Sequence, residues 1–243
     1  MHAATVPVRP FGQPPDLDLD FGRPDRPALV TELLAGCCAP ADANFWWDQS
    51  VSLRTATLLR LAALTDGRDT LPLHARCTAC GEMFGFDLPL RQLADYAAGD
   101  EPLRVALGTG RAATLRRPTG TDLRRWREAR PATREAAVTL MIGTLLVEGD
   151  GSPDDEAALA PALAALDPLV DFTVACACPA CGAGNDVALD LEALALGRLA
   201  ASQRTLLEQI HICATHYGWT EAQVLAVPPA RRARYLAMIG EER

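Results

Sequence analysis

A chain of 243 residues, 49% apolar and 22% charged, has the composition of a globular protein with a full-sized core. Wholesale disorder, a fibrous repeat and a collagen-like fold are excluded. Its 31 acidic residues against 23 basic ones leave a formal charge of −8, the wrong sign for coating nucleic acid or an anionic membrane. Residues Met1 to Pro15 contain no apolar stretch of the export-signal kind. The longest apolar run, Ala136 to Val147, is about half of a bilayer span. A cytoplasmic location without membrane contact is expected, and with it eight reduced cysteines.

Residues 1–28 are rich in proline and aspartate and read as a flexible arm, too poor in large apolar groups to offset ordering entropy. Residues 29–98 follow as a first unit. Ala28 to Cys37 has apolar residues at helical spacing, and Ser50 or Ser52 caps a stronger helix reaching Leu64. Between them Phe45-Trp46-Trp47 is expected to pack in the core. His74 to Leu90 predicts a hairpin turning at Cys77-Thr78-Ala79-Cys80-Gly81, with a helix after it. Residues 99–171 read as an insertion. It holds a hairpin over 103–116, a helix capped by Thr121, an apolar helix from Thr133 to Val147, and a helix opened by Ser152-Pro153. Residues 172–198 repeat the hairpin around Cys178-Pro179-Ala180-Cys181-Gly182 and start a long helix; 199–243 form a helical C-terminal module.

An internal repeat is visible. Phe86-Asp87-Leu88 follows the first knuckle and Leu189-Asp190-Leu191 the second, suggesting two copies of one unit that face each other. The fold class expected is α+β, a discontinuous zinc-ribbon-like pair of hairpins with a mostly helical insertion.

Two cysteines with two residues between them place both sulfurs on one side of a tight turn. The glycine after each pair, Gly81 and Gly182, tolerates the positive φ that turns backbone N–H groups toward thiolate. Cys77, Cys80, Cys178 and Cys181 thus supply a complete tetrahedral shell. With no open position, such a shell is structural rather than catalytic. Residues 81 to 177 separate the pairs, which is tolerable because loop-closure entropy grows only logarithmically with length. Three alternatives stay open: the hairpins packed without metal, a disulfide or redox pair, and Cys176 or His74 taking a ligand position. Cys37, Cys38 and Cys213 lack such pairing and read as core.

No phosphate-cradling glycine loop, nucleophile elbow or helical His-Glu-His pair is present, so neither an enzyme nor a small-molecule substrate is expected. His211, Cys213 and His216 do not share one helix face. Residues 104–134 hold nine arginines against Asp122 and Glu128, read as a solvated face that neutralises acids elsewhere. Near the C-terminus Gly218 breaks the long helix, Thr220 with Gln223 forms a capping box, and Pro228-Pro229 starts a last helix. The outline is helix–turn–helix, yet the final helix offers few base-reading side chains. Protein docking fits it better.

The stretch Ile210-His211 through Ala214, His216-Tyr217-Gly218-Trp219-Thr220-Glu221, Val224-Leu225, Pro228, Arg231-Arg232 and Tyr235-Leu236, together with the knuckles, resembles a family from gene clusters of phage-tail-like contractile injection systems. Its members are named after the baseplate hub assembly chaperones of T-even phages, and the resemblance covers about residues 28 to 240. It implies a non-enzymatic assembly factor or minor component of a contractile-tail baseplate, with baseplate or tail proteins as partners. The exposed parts of Tyr217, Trp219, Arg231, Arg232 and Tyr235 are the candidate partner-binding groups, the alternative being that the aromatics only staple the last helices together. Thr78, standing where the second knuckle has Pro179, departs from the knuckle pattern. A zinc-ribbon and helix–turn–helix nucleic-acid-binding regulator is the alternative reading.

Overall fold

The computed structural model describes residues 6–96 and 101–241. Within them the chain is mixed α and β, 55% helix and 18% strand. Its centre is the helix α4, Val51–Asp66, which Ser50 caps by accepting from the Leu53 N–H at 3.3 Å. Residues on every side of α4 are buried, so its hydroxyls must be satisfied internally. Thr57 and Thr65 do this by donating to the carbonyls of Leu53 and Leu61, each at 2.7 Å.

Arg54 is the exceptional residue of this helix, a fully buried cation. Its guanidinium donates to the Trp46 carbonyl at 2.6 Å and to the Pro27 carbonyl at 2.8 Å. Those carbonyls belong to α3 (Ala43–Asp48) and to the start of α2 (Arg26–Cys37), so one cation ties three helices. Burial lowers the Arg54 pKa to about 10, opposed by the charge of Glu192; the group stays ionised at neutral pH. Trp46 is fully buried as expected and donates its indole N–H to the Pro40 carbonyl at 3.0 Å. Gly120 packs so close to the Arg54 guanidinium that a Cβ there would collide with it.

The proline-rich segment is not a free arm from Val6 onward. Phe11 is buried in the main core, Val8 bridges to Cys38, and Pro14–Leu17 form a short helix, α1. The organising group is Asp16, which is 3% exposed. It takes two bonds from Arg9 at 2.7 Å and the N–H groups of Gly12 and Gln13 at 2.8 and 2.9 Å. Gln203 then clamps the segment by donating to the carbonyls of Leu17 and Leu19. Composition argued for disorder because it counts apolar groups; here a buried ion pair and backbone bonds order the segment instead.

Two hairpins flank the core. The first pairs β1 (Thr70–Arg76) with β2 (Met83–Pro89) and leads into α5 (Leu90–Ala94). The second pairs β6 (Phe172–Ala177) with β7 (Gly184–Leu189) and leads into the long α9 (Leu191–Tyr217). A constant shift of 101 residues superposes the two in sequence, from Cys77 on Cys178 to the helix starts at Leu90 and Leu191. Register obeys the same shift, since Leu71 opposes Leu88 and Phe172 opposes Leu189. The repeat is therefore real, but its expected alignment was two residues off. Asp87 lies within β2 opposite Pro72, whereas Asp190 caps α9; the true equivalents are Leu88-Pro89-Leu90 and Leu189-Asp190-Leu191.

The insertion has its own core. A sheet of order β3 (Leu103–Ala106), β4 (Ala112–Leu115) and β5 (Leu146–Gly149) packs with α6 (Gly120–Ala129), α7 (Arg134–Leu145) and α8 (Glu156–Leu166). Thr119, not Thr121, caps α6 through a box with Asp122. The apolar run expected to stay helical to Val147 leaves the helix at Leu145, because Leu146 and Glu148 complete the sheet against Leu115 and Thr114. The C-terminal end packs α10 (Glu221–Ala226) and α11 (Pro229–Glu241) on α9 around Ile210, Cys213 and Val224. Domain limits drawn at 28/29 and 198/199 fall inside α2 and α9, which run through them unbroken.

Burial opposes the Asp16 charge, but Arg9 and the two N–H groups outweigh it and hold the carboxyl below its ordinary 3.8. Its stabilisation is thus present above that value and lost as pH falls through the lower folded value. We expect Asp16→Asn to lose about 2 kcal/mol at pH 7, the scale of hydrogen bonds to a charged group. In chemical denaturation this deficit should shrink below about pH 4.

Candidate metal centre

Each knuckle is built by the same local bonds. In the first, Cys77 N–H donates to the Glu82 carbonyl at 2.8 Å and Gly81 N–H to the Cys77 carbonyl at 3.0 Å. In the second, Cys178 N–H reaches the Ala183 carbonyl at 2.9 Å and Gly182 N–H the Cys178 carbonyl at 2.8 Å. Gly81 and Gly182 adopt φ of 77° and 74°, a left-handed conformation that side chains resist, although the space around both is open. Glycine is needed there for its backbone alone.

The two turns meet tip to tip. Cys77 Sγ lies 3.7 Å from Cys181 Sγ, and Cys80 Sγ lies 3.8 Å from Cys178 Sγ. All four sulfurs fall within 4.8 Å of one another. Cys77 and Cys178 are buried and Cys80 and Cys181 exposed, so each hairpin contributes one inner and one outer ligand. A tetrahedral ion with metal–sulfur bonds of about 2.3 Å would set its sulfurs about 3.8 Å apart. The two contacts between hairpins match that spacing, and the remaining pairs stay within 4.8 Å. These distances are far outside disulfide length, and all eight cysteines are free. Four cysteines stand close enough to hold a metal ion.

Neither competitor joins them. Cys176 packs beside the cluster with Phe84 and Ala75, and His74 lies outside the four-sulfur group. Cys37 and Cys38 sit in the main core, where burial pushes each thiol up to about 12. Cys213 is fully buried in the C-terminal cluster.

The electrostatics suit a cation. The backbone N–H groups of Cys80 and Ala79, with help from Asn185 and Cys181, lower the Cys77 pKa to about 6. At Cys80 the Glu82 N–H favours thiolate, but the sulfurs of Cys181, Cys77 and Cys178 outweigh it and push the group up to about 12. One thiolate forms readily at Cys77, and Cys80 then resists a second. A divalent ion removes that conflict by replacing the protons.

Asn185 is a member of the site that sequence reasoning missed. It is 5% exposed and accepts from the Thr78 N–H at 2.8 Å and the Thr78 hydroxyl at 3.0 Å. Its amide nitrogen donates to the Ala183 carbonyl at 2.9 Å and points at Cys77 Sγ, 3.7 Å away. The departure at Thr78 is thereby explained. Thr78 supplies an N–H, which Pro179 lacks, and the second hairpin supplies its acceptor. The position equivalent to Asn185 under the repeat shift is Phe84, buried against Cys178. One knuckle is braced by a polar side chain of the other hairpin, the other by an aromatic one. The legible signal was the repeat itself: a polar residue standing where its copy has phenylalanine.

The candidate partner-binding aromatics also pack against one another. Tyr217 stacks on Trp219 at 4.9 Å, and Tyr235 meets Trp219 edge-on at 5.1 Å. All three are half-buried, pinning α11 to the end of α9. Arg232 is buried, donating to Gln209 at 2.7 Å and to the Val224 carbonyl at 3.3 Å, so it is not available to a partner. Arg231 is exposed. Among the described residues no helix is long and apolar enough to cross a membrane. No family model, curated protein or solved structure matches this chain.

Protein purified without chelator should carry about one metal ion per chain by atomic emission, and Cys181→Ser should lose it with a large fall in melting temperature. Near-zero metal in the parent, or an unchanged melting transition in the variant, would refute the site. Asn185→Ala should keep the fold but weaken metal affinity by about 10–100-fold, the usual effect of removing a residue that orients a ligand. Competition with a chromophoric chelator measures it.

Proposed function

We propose that this protein is a non-enzymatic, zinc-stapled scaffold that works by docking other proteins. The observation carrying this reading is the closed four-sulfur centre, whose ligands come in pairs from hairpins on either side of the insertion. A tetrahedral all-sulfur shell selects zinc or iron, and zinc is the one without redox chemistry, suited to a purely structural joint. The small apolar cluster under the sulfurs, Cys77, Phe84 and Cys178 with their half-buried neighbours, supports the same role. Two isolated hairpins are marginal in water, and so slight a core needs a crosslink.

Within that role we favour an assembly factor or minor component of a contractile-tail baseplate, on the resemblance of the knuckles and the Ile210 to Leu236 stretch to hub assembly chaperones. The exposed edges of Tyr217, Trp219 and Tyr235, with Arg231, are then the C-terminal contact candidates. A nucleic-acid-binding regulator is the second reading, favoured by the exposed arginines of α6. Burial of Arg232 in α11 argues against a recognition helix there.

Proteomics on contractile particles from the native host, with electron microscopy of a deletion strain, tests the reading. Presence in intact particles makes the protein a component. Absence from particles that also fail to assemble in the deletion strain makes it a chaperone. Normal particles in the deletion strain overturn the baseplate role, and duplex-DNA binding that falls steeply with salt would support the regulator.

A further inference from the structure

The C-terminal helices enclose a buried cation that no carboxylate balances. Arg232 of α11 is 8% exposed. Its Nε donates to Gln209 Oε1 at 2.7 Å and its Nη1 to the Val224 carbonyl at 3.3 Å, both neutral acceptors. The other two buried arginines have acids beside them: Arg54 lies in the field of Glu192, and Arg117 in that of Asp167. Among the described residues the one titratable group acting on Arg232 is Cys213, whose thiol is held above its ordinary value by burial and stays neutral at pH 7. An ion taken out of water without a counter-charge is costly, and the cost falls when an anion joins it.

Arg232 also lines an open cavity of about 640 Å³, the size of a small-ligand site. Arg198, Ser202, Thr205 and Gln209 stand on its wall at helical spacings of three and four, so the cavity follows one face of α9 for about 16 Å. At the Arg198 end lies Asp66, the one acid on the wall, which Arg198 holds through two bonds at 2.6 and 2.7 Å. The Gln209 end holds only donors. Arg232 Nη2 has no acceptor among the described residues. Gln209 spends its carbonyl oxygen on Arg232, which leaves its amide N–H groups unused, and the Thr205 hydroxyl makes no hydrogen bond among the described residues. Pro229 on the same wall opens α11, so the positive end of that helix borders the cavity. Leu206 and Leu225 complete this end with apolar surface.

We propose that this cavity binds a small organic anion, its phosphate or carboxylate head on Arg232 Nη2 and the Gln209 amide, its apolar body against Leu206 and Leu225. An oxyanion accepts from every unused donor at that end and supplies the charge that Arg232 lacks; guanidinium is the side chain best shaped for it. A cation or a neutral ligand would leave Arg232 as it is. Burial keeps the flat face of a protein partner off Arg232, whereas a small molecule reaches it through the cavity. The occupant would bridge α11 to α9 and so stabilise the C-terminal helices. This site is separate from the four-sulfur centre and does not rest on the baseplate reading.

The test titrates the full-length protein, in a chloride buffer, with phenyl phosphate and with benzoate, followed by ligand-observed NMR and by melting temperature. At least one should bind and raise the melting temperature, and the tighter of the two identifies the head group. Phenol and phenyltrimethylammonium, neutral and cationic analogues of the same size, should do neither. Arg232→Gln removes the charge and should weaken the anion by about ten-fold or more, the scale of hydrogen bonds to a charged group. Should that variant fail to fold, Thr205→Glu decides. Thr205 is exposed one turn before Gln209, so a glutamate there sets a carboxylate in the cavity. It should abolish anion binding while keeping or raising the parent melting temperature. No binding by either anion, equal binding by phenol, or an affinity that Thr205→Glu leaves unchanged would overturn the proposal.

Discussion

The pairing of the two hairpin tips depends on bringing four sulfurs to one point from two turns about a hundred residues apart in the chain. Two hairpins of six or seven residues per strand hold their own backbone bonds but little apolar area. Both carry the same turn in the same register, and their tips meet through the sulfurs. The resulting symmetry is broken where it matters for packing: Thr78 with Asn185 on one side, Phe84 against Cys178 on the other. A polar brace thus meets the donor-bearing turn, giving the Thr78 N–H its acceptor, while the turn with Pro179 has no such N–H to satisfy.

A second pattern runs through the interior. Arginines join elements alongside the aliphatic core. Arg54 joins α2, α3 and α4; Arg9 with Asp16 orders the N-terminal segment; Arg117 donates to the Leu166 carbonyl at 2.9 Å where the insertion meets the core. Arginine suits this work because its planar fork serves several carbonyls or a carboxylate at once and stays charged when buried. Gly120 shows the cost in sequence freedom, since the guanidinium of Arg54 occupies the room a side chain would need.

Much of this was legible in the residues, and what was not has physical reasons. Helices with clear caps, such as those opened by Ser50, Thr133 and Thr220, are found where their caps predict. The four-cysteine cluster was legible because a two-residue spacer followed by glycine dictates a turn almost alone. Asn185 was not, because its role depends on Thr78 across the interface, a distance of 107 residues. The ordered N-terminal segment escaped notice because Asp16 and Arg9 look like solvated charges until burial makes them a pair. The strand at Leu146–Gly149 escaped because a short apolar run suits either period, and only the edge of β4 decides. The aromatic cluster was legible with both its roles open, a contact surface and a staple for the last helices; the ring contacts supply the staple.

The continuity of α9 has a mechanical consequence. Twenty-seven residues of unbroken helix make a rod about 40 Å long at 1.5 Å per residue. It starts at the base of the second hairpin and ends in the Tyr217–Trp219 stack, with Arg198 fastening its flank to Asp66. The rod therefore fixes the spacing between the hairpin pair and the C-terminal helices. Anything gripping both ends at once meets a rigid caliper of fixed span, not two tethered beads.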